Sequence, residues 1–384
     1  MNIILLFSLV FYSFCTYSSE SVEPIRALTI KVLLNDKSPS NTSISIIGKK
    51  DLITHLPKNE NSQKKIGTTL TVNLDNDKLY INGKKFAGNA LQVKPTEGYL
   101  SFENREYHGS FIILKEKNAL LLINVLNLEE YVSVVLRTES WPGWPLEANK
   151  VLAICIRTYA VDKILEAKQK KLSYHIKTTT EHQTYKGVLN NKHTDTLLLA
   201  VKETAGLIIT YNNKPILAMH DSCCAGIIPA SVEHIDFKKA PYLARKEICN
   251  HCKISKFYTW QVTMPKDDLI QLLQQNIPKL KNISSIVVTK TDKAGIPQKI
   301  EIYDKKEKYV IDGKAFYFLN KRIRSYYYEI KKNANNIVLS GRGVGHHLGL
   351  CQWGARQMVD LGWDCKSIIQ FYYPGTSFMK LKAK

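Results

Sequence analysis

After its first fourteen residues, the 384-residue chain has no apolar run long enough to cross a bilayer. It has no internal repeat and no long low-complexity segment, which excludes a repeat architecture or a largely disordered chain. Acids are scarce: 34 Asp and Glu stand against 54 Lys and Arg, a formal net charge of +20. Such a chain favours acidic partners, whether nucleic acid, anionic lipid or an anionic polysaccharide. The length allows two or three domains, and the 44% hydrophobic content supplies a sizeable core. The N-terminus narrows the partners. Ile3 to Phe14 is apolar and is followed by the small polar residues Thr16, Ser18 and Ser19, the length of a signal-peptide core, although no Lys or Arg precedes it. Cys15 follows Tyr12-Ser13-Phe14, which lacks the pattern of a lipoprotein cleavage site. Residues 1–19 therefore read as a signal peptide. The expected location is the periplasm or cell envelope, peripheral to a membrane at most. Export makes a cell-wall polymer the expected partner and excludes nucleic acid.

Residues 20–125 read as strand-rich. Alternating runs fall at Leu28–Leu34, Ser43–Ile47, Thr68–Leu74 and Phe111–Leu114, with turns at Asn82-Gly83 and His108-Gly109 and a hairpin near Leu74–Tyr80. From Leu126 onward the pattern is mixed. Helices are predicted over 194–204, 265–280, from near Leu350, and over 364–372. Strands are predicted at 207–211 and 215–220, joined by a turn at Asn212-Asn213, and again near 286–289 and 299–303.

The stretch Leu126 to Ala160 carries the chemistry. Leu126, Tyr131, Val132 and Val135 mark a short amphipathic helix. Pro142, Gly143 and Pro145 break it, and Pro145 suits the first turn of the next helix. Glu139 is the acid in the break, with Trp141 and Trp144 beside it. A carboxyl pressed against indole rings loses solvation of its charged form, so an elevated pKa and a general-acid role are expected. Glu147 reads as a first-turn acid favoured by the helix dipole. Lys150 and Arg157 lie two turns apart on one helix face.

These residues fall in patterns. Asn127-Leu128-Glu129-Glu130-Tyr131, then Glu139, Trp144-Pro145-Leu146-Glu147-Ala148-Asn149-Lys150 and Ile156-Arg157-Thr158-Tyr159-Ala160 follow one another in order. Later come Gly341, Gly343, Gly345, His346, Gly349, Gln352, Trp353, Gly354 and Ala355. Together with the hairpin leading to His220 and with Pro241-Tyr242-Leu243, they resemble the stage II sporulation protein D family, also called the amidase-enhancer family, over roughly 111–378. Two positions depart from the family pattern: Thr138 stands where many relatives have Ser, and Cys224-Ala225 replaces a Gly-Gly after the hairpin. The resemblance implies a lytic transglycosylase that cleaves peptidoglycan glycan strands between N-acetylmuramic acid and N-acetylglucosamine. It makes Glu139 the catalytic acid, and Lys150, Arg157, His220, Tyr242, His346 and Gln352 the substrate-binding residues. His347 reads as a bystander and Trp353 as core. No cofactor is required for that catalysis. The rival reading, which the family's second name suggests, is a non-catalytic glycan-binding partner that stimulates a cell-wall amidase.

The cysteines pose a separate question. His220-x-x-Cys223 followed by Cys249-x-x-Cys252 has the spacing of a four-ligand structural zinc site. Export equally permits disulfides, Cys223 or Cys224 with Cys249 or Cys252, and Cys351 with Cys365. Three cysteines and a histidine would close the site, which argues against a zinc hydrolase. The fold expected is α+β: a strand-rich N-terminal part packed with a mixed α/β catalytic region (126–384), with the active cleft between the lobes.

Overall fold

The alternating segments up to Asn127 form twelve strands among the described residues. The computed structural model describes residues 28–35, 42–57, 59–178, 182–188 and 195–381; the expected signal peptide and Cys15 lie outside the described residues. A seven-stranded sheet runs in the order Ile176–Lys177, Thr29–Leu33, Ala119–Asn127, Ser110–Glu116, Ala90–Pro95, Leu52–Leu56, Asn59–Ile66. A six-stranded sheet is centred on Ser43–Gly48 and Thr69–Asp75. Burial alternates along Ser43–Gly48, as it does in a strand that packs one face on a core. The hairpin expected near Leu74–Tyr80 turns at Asn76 and Asp77, both with positive φ (45° and 62°). That is the pair of left-handed residues a two-residue hairpin needs.

Seven helices follow among the described residues: α1 (Leu128–Glu139), α2 (Leu146–Lys170), α3 (Asp195–Glu203), α4 (Lys266–Gln274), α5 (Gly313–Phe318), α6 (Gln352–Asp360) and α7 (Cys365–Tyr372). The long strand Ala119–Asn127 passes directly into α1. Asn127 caps that helix, its side-chain oxygen accepting the Glu129 N–H at 2.8 Å. The fold is α+β, with a strand-rich N-terminal part.

The hydrophobic core runs across the boundary between the strand-rich part and the region from Leu126. One core joins the N-terminal strands (Ile30, Val93, Phe111, Leu122) to α1, α2 and the C-terminal helices (Val135, Tyr372) without a break at 125/126. The reason is α2: its residues 151–161 are almost all buried, so it is a central helix that needs apolar surface all round. The separate core lies instead within residues 260–339, around Met264, Leu273, Ile300, Phe316 and Leu339. No helix among the described residues is long and apolar enough to cross a membrane.

Candidate active site

Glu139 is the last residue of α1, within the helix and not in the break after it where the sequence placed it. Val132, Val135 and Leu136 precede it by seven, four and three residues and are fully buried. The helical repeat therefore puts Glu139 on the buried stripe. Burying each such side chain contributes about 1.5–3 kcal/mol, which fixes the rotation of α1 and draws the carboxylate inward. The helix stops at Ser140, which is extended and whose N–H still reaches Leu136 O at 2.9 Å. Trp141-Pro142-Gly143-Trp144 then forms a turn closed by Trp144 N–H to Trp141 O at 3.2 Å, with Gly143 at φ 78°. The Pro-Gly order and positive φ are those of a type II turn. Asn149 of α2 holds the turn: its amide donates to Trp144 O at 3.2 Å, and the Ser140 hydroxyl donates to its Oδ1 at 2.5 Å.

The carboxylate has two polar neighbours. Thr184 donates its backbone N–H to Glu139 Oε1 at 3.2 Å, and His220 Nε2 lies 3.8 Å from Oε2. Thr138 secures the same segment: its hydroxyl lies 2.6 Å from Thr184 O and 2.8 Å from Val135 O, and can donate to either. The departure from Ser at this position keeps the hydroxyl. Burial is the largest influence on Glu139 and pushes its pKa up. The imidazole of His220 and the Thr184 N–H together outweigh burial, and the net shift is downward. This corrects the expected elevation. Both indole rings pack on other aromatics: Trp141 on Phe257 (5.6 Å between centroids) and Trp353 (6.2 Å), and Trp144 edge-on against Trp353 at 5.7 Å. Lys256 Nζ lies 5.0 Å from the Trp141 ring centre. Trp141 keeps 36% of its surface exposed, so these rings form an aromatic shelf immediately after the acid.

His220 and Asp221 form a short strand that pairs in parallel with Leu350–Cys351. Successive residues of a strand point to opposite faces. His220 accordingly meets Glu139, and Asp221 turns to the glycine-rich loop. There its carboxylate accepts the backbone N–H groups of His346 (3.0 Å) and His347 (2.5 Å), and His346 Nδ1 lies 3.1 Å from Oδ1. Burial holds Asp221 well above the ordinary carboxylate range and His346 well below the ordinary imidazole value; the neighbouring His220 adds to the effect on His346. The glycines of this loop serve packing more than ligand approach: a Cβ on Gly345, at φ 123°, would collide with Asp221 Oδ1.

The remaining expected substrate contacts are placed elsewhere. Arg157 is fully buried in α2 and forms a bidentate pair with Glu129, Nε to Oε1 at 2.8 Å and Nη2 to Oε2 at 2.7 Å. Glu129 also accepts the Gly206 N–H at 3.1 Å. Arg157 thus ties α1 to α2 and to the start of the strand after α3, and has no solvent face to offer a glycan. Lys150 bridges Glu147 (2.6 Å) and Glu203 (2.5 Å), joining α2 to α3. Shared helix face was the right geometry for both residues, but α3 covers that face. Tyr242 is buried and its hydroxyl accepts the Leu217 N–H at 2.9 Å. Gln352 is buried at the first residue of α6. The structure therefore brings Glu139, His220 and the His346 loop to one place, and commits Lys150, Arg157 and Tyr242 to other partners. It adds Thr184, Asp221, Lys256 and Phe257. Asp221 was signalled only by being the acid next to His220, and Lys256-Phe257 carried no signal at all.

The expected four-ligand set of His220, Cys223, Cys249 and Cys252 is not assembled. Cys224, Cys249, Cys252 and Cys351 converge instead, with all their sulfurs within 4.8 Å of one another. His220 lies against Glu139 instead, and the chain leaves the strand after Asp221 and turns at Ala225 (φ 49°), where Cys224 rather than Cys223 joins Cys249 and Cys252. The seven cysteines among the described residues are free thiols, Cys365 included, so the disulfides held open above are absent among them.

Comparison with known proteins gives the family. The family model described as Stage II sporulation protein matches residues 116–211, which span α1, Glu139 and α2. An uncharacterized protein of Brachyspira hyodysenteriae is 31% identical over 290 residues, 75% of this chain and 76% of that protein. The stage II sporulation protein D of Bacillus subtilis is 27% identical over 274 residues, 67% of this chain and 75% of that protein. The amidase enhancer of Bacillus subtilis is 24% identical over 367 residues, and the chain spans 50% of its length. The chain belongs to the stage II sporulation protein D family.

Proposed function

We propose that this protein is an exported peptidoglycan lytic transglycosylase, with Glu139 as its single acid and base. The observation that carries the reading is one buried carboxylate, paired with an imidazole and a backbone N–H, two residues before the exposed Trp141 of an aromatic cluster. Ordinary glycoside hydrolysis uses two carboxylates, one as acid and one to activate water or attack carbon. Asp221, the nearest acid in sequence to His220, points to the other face of its strand with both oxygens taken by backbone N–H groups. A lytic transglycosylase needs no second carboxylate, because the 6-hydroxyl of the muramic residue attacks its own anomeric carbon. Glu139 gives a proton to the leaving glycosidic oxygen, then takes the proton of that hydroxyl as the 1,6-anhydro ring closes. At rest His220 and the Thr184 N–H hold the carboxylate toward its ionised form. Glycan lying on Trp141 displaces water from the carboxylate and pushes its pKa up, so that it takes up the proton it gives as acid. The basic surface suits anionic wall polymer.

A second reading has its own support. The lowered pKa of Glu139 suits a carboxylate that accepts hydrogen bonds from sugar hydroxyls, and one relative bears the name amidase enhancer. In that reading the shelf and Glu139 hold glycan while a cell-wall amidase partner acts. The two part on one experiment. Purified protein and its Glu139→Gln variant are incubated with glycan strands freed of stem peptides. Release of anhydro-muramic ends by the parent and loss of at least a hundredfold in the variant is expected. Equal release by both would sink the catalytic role, and release by neither, with stimulation of an added amidase by both, would establish the second reading.

A further inference from the structure

The cysteine cluster lies outside the chemistry of Glu139, and its geometry points to an ion. We propose that Cys224, Cys249, Cys252 and Cys351 form a closed structural zinc site, which fixes the strand pair carrying His220 and the His346 loop.

All four sulfurs are buried and mutually within 4.8 Å. Four Zn–S bonds of about 2.3 Å in a tetrahedron place neighbouring sulfurs roughly 3.8 Å apart. Cys224 Sγ and Cys252 Sγ are 3.8 Å apart. A disulfide needs about 2.05 Å, with its own dihedral geometry. The surroundings are those of thiolates. Cys351 Sγ accepts backbone N–H groups from Cys224 at 3.3 Å and Gly354 at 3.4 Å. It also caps the N-terminus of α6, where the helix dipole favours negative charge. Cys249 Sγ lies 3.1 Å from the Tyr372 hydroxyl, a donor to a thiolate. A Cβ on Gly354 would lie 2.8 Å from Cys249 Sγ and would collide with Tyr372 Oη, so α6 presses its backbone onto the cluster. Such outer donors orient and tune metal-bound thiolates.

The four residues come from separate places. Cys224 follows the His220–Asp221 strand, Cys249 precedes the turn His251–Ile254 and Cys252 lies within it, and Cys351 ends the strand Leu350–Cys351. Cys224 and Cys351 are 127 residues apart in the chain. One ion therefore closes three loops, including both strands of the pair His220↔Leu350 and Asp221↔Cys351. His347 Nδ1 lies 3.2 Å from Cys224 O, which couples the cluster to the loop bound by Asp221. Four thiolates leave no open position, so the role is to hold shape and not to activate water. The pattern C-x-x-C at 249–252 belongs to this set, but its two companions are Cys224 and Cys351.

The test uses the full-length protein purified without chelator. Elemental analysis is expected to give one zinc per chain. Cobalt exchanged into the protein is expected to show the thiolate-to-metal charge-transfer bands and visible spectrum of a tetrahedral four-sulfur site. Four thiols are expected to resist alkylation until a chelator is added, and peptide mapping is expected to place them at 224, 249, 252 and 351. Cys365→Ser is expected to retain full metal, whereas Cys252→Ser and Cys351→Ser lose it. Should the latter two fail to fold, the alkylation map of the parent protein decides the matter alone. Protein without metal, with the four thiols freely alkylated or joined in disulfides, would overturn the proposal, as would iron in place of zinc.

Discussion

Removing the charge of Arg157 distinguishes structural from substrate-binding use of a residue that the family pattern singles out. The guanidinium has no exposed surface. It spends Nε and Nη2 on Glu129, and it also donates to Leu207 O at 3.2 Å. Arg157→Met keeps the apolar stem and deletes the fork, leaving Glu129 with the Gly206 N–H. Glu129→Gln does the reverse and leaves a buried guanidinium without its counter-charge. Breaking a buried pair from one side costs about 3–5 kcal/mol, against about 0–1 kcal/mol for an exposed pair. The expected result is a loss of about 3–5 kcal/mol for either variant in urea unfolding, and a double variant far less damaged than the sum of the two. Glycan affinity, measured where each variant is still folded, is expected to be unchanged. A stability loss below about 1 kcal/mol together with weakened glycan binding would refute this placement and restore Arg157 to the substrate surface.

Other expectations follow from the same geometry. Replacing His220 with Gln removes the main opponent of burial at Glu139, so the Glu139 pKa is expected to move up, as read by carboxyl NMR titration; no change would mean that His220 does not control it. In the parent protein, Glu139 titrates below its ordinary value of 4.5, so its stabilising share is complete above pH 4.5 and is lost as pH falls through the lower native value. Urea unfolding of the parent and of Glu139→Gln is therefore expected to converge below that range. Trp141→Ala is expected to weaken glycan binding by about 0.5–1.5 kcal/mol, roughly two- to tenfold in Kd, with little change in stability. Trp144→Ala, at a site only 8% exposed, is expected to cost about 3–5 kcal/mol of stability. Gly345→Ala forces a Cβ onto Asp221 at a strained φ, and a loss of about 1–3 kcal/mol is expected in thermal or urea unfolding.

Much of the architecture was legible because it rests on local rules. The hairpins at Asn76-Asp77 and Asn212-Asn213 follow from residues that tolerate left-handed backbone. Glu139 stood out in the sequence as the candidate acid, yet its environment did not. Adjacency in sequence suggested indole neighbours, but α1 turns Glu139 onto the buried stripe, and the imidazole arrives from a strand eighty-one residues later. Lys150 and Arg157 were placed correctly on one face of α2, but what covers a face depends on tertiary packing, here α3 and Glu129. The cysteine pattern held two of the four clustered thiols. Cys224 and Cys351 could not be assigned to it from spacing, because the strand pair that brings them together is parallel and non-local.

The central claim, cleavage by one carboxylate with attack from within the substrate, is tested most directly by the chemistry of the new ends. Glycan strands digested in heavy-oxygen water are examined by mass spectrometry and for reducibility by borohydride. The account predicts ends one water lighter than hydrolysed ends, free of solvent oxygen and resistant to reduction. Reducing ends carrying the heavy oxygen, or intact strands, would contradict it.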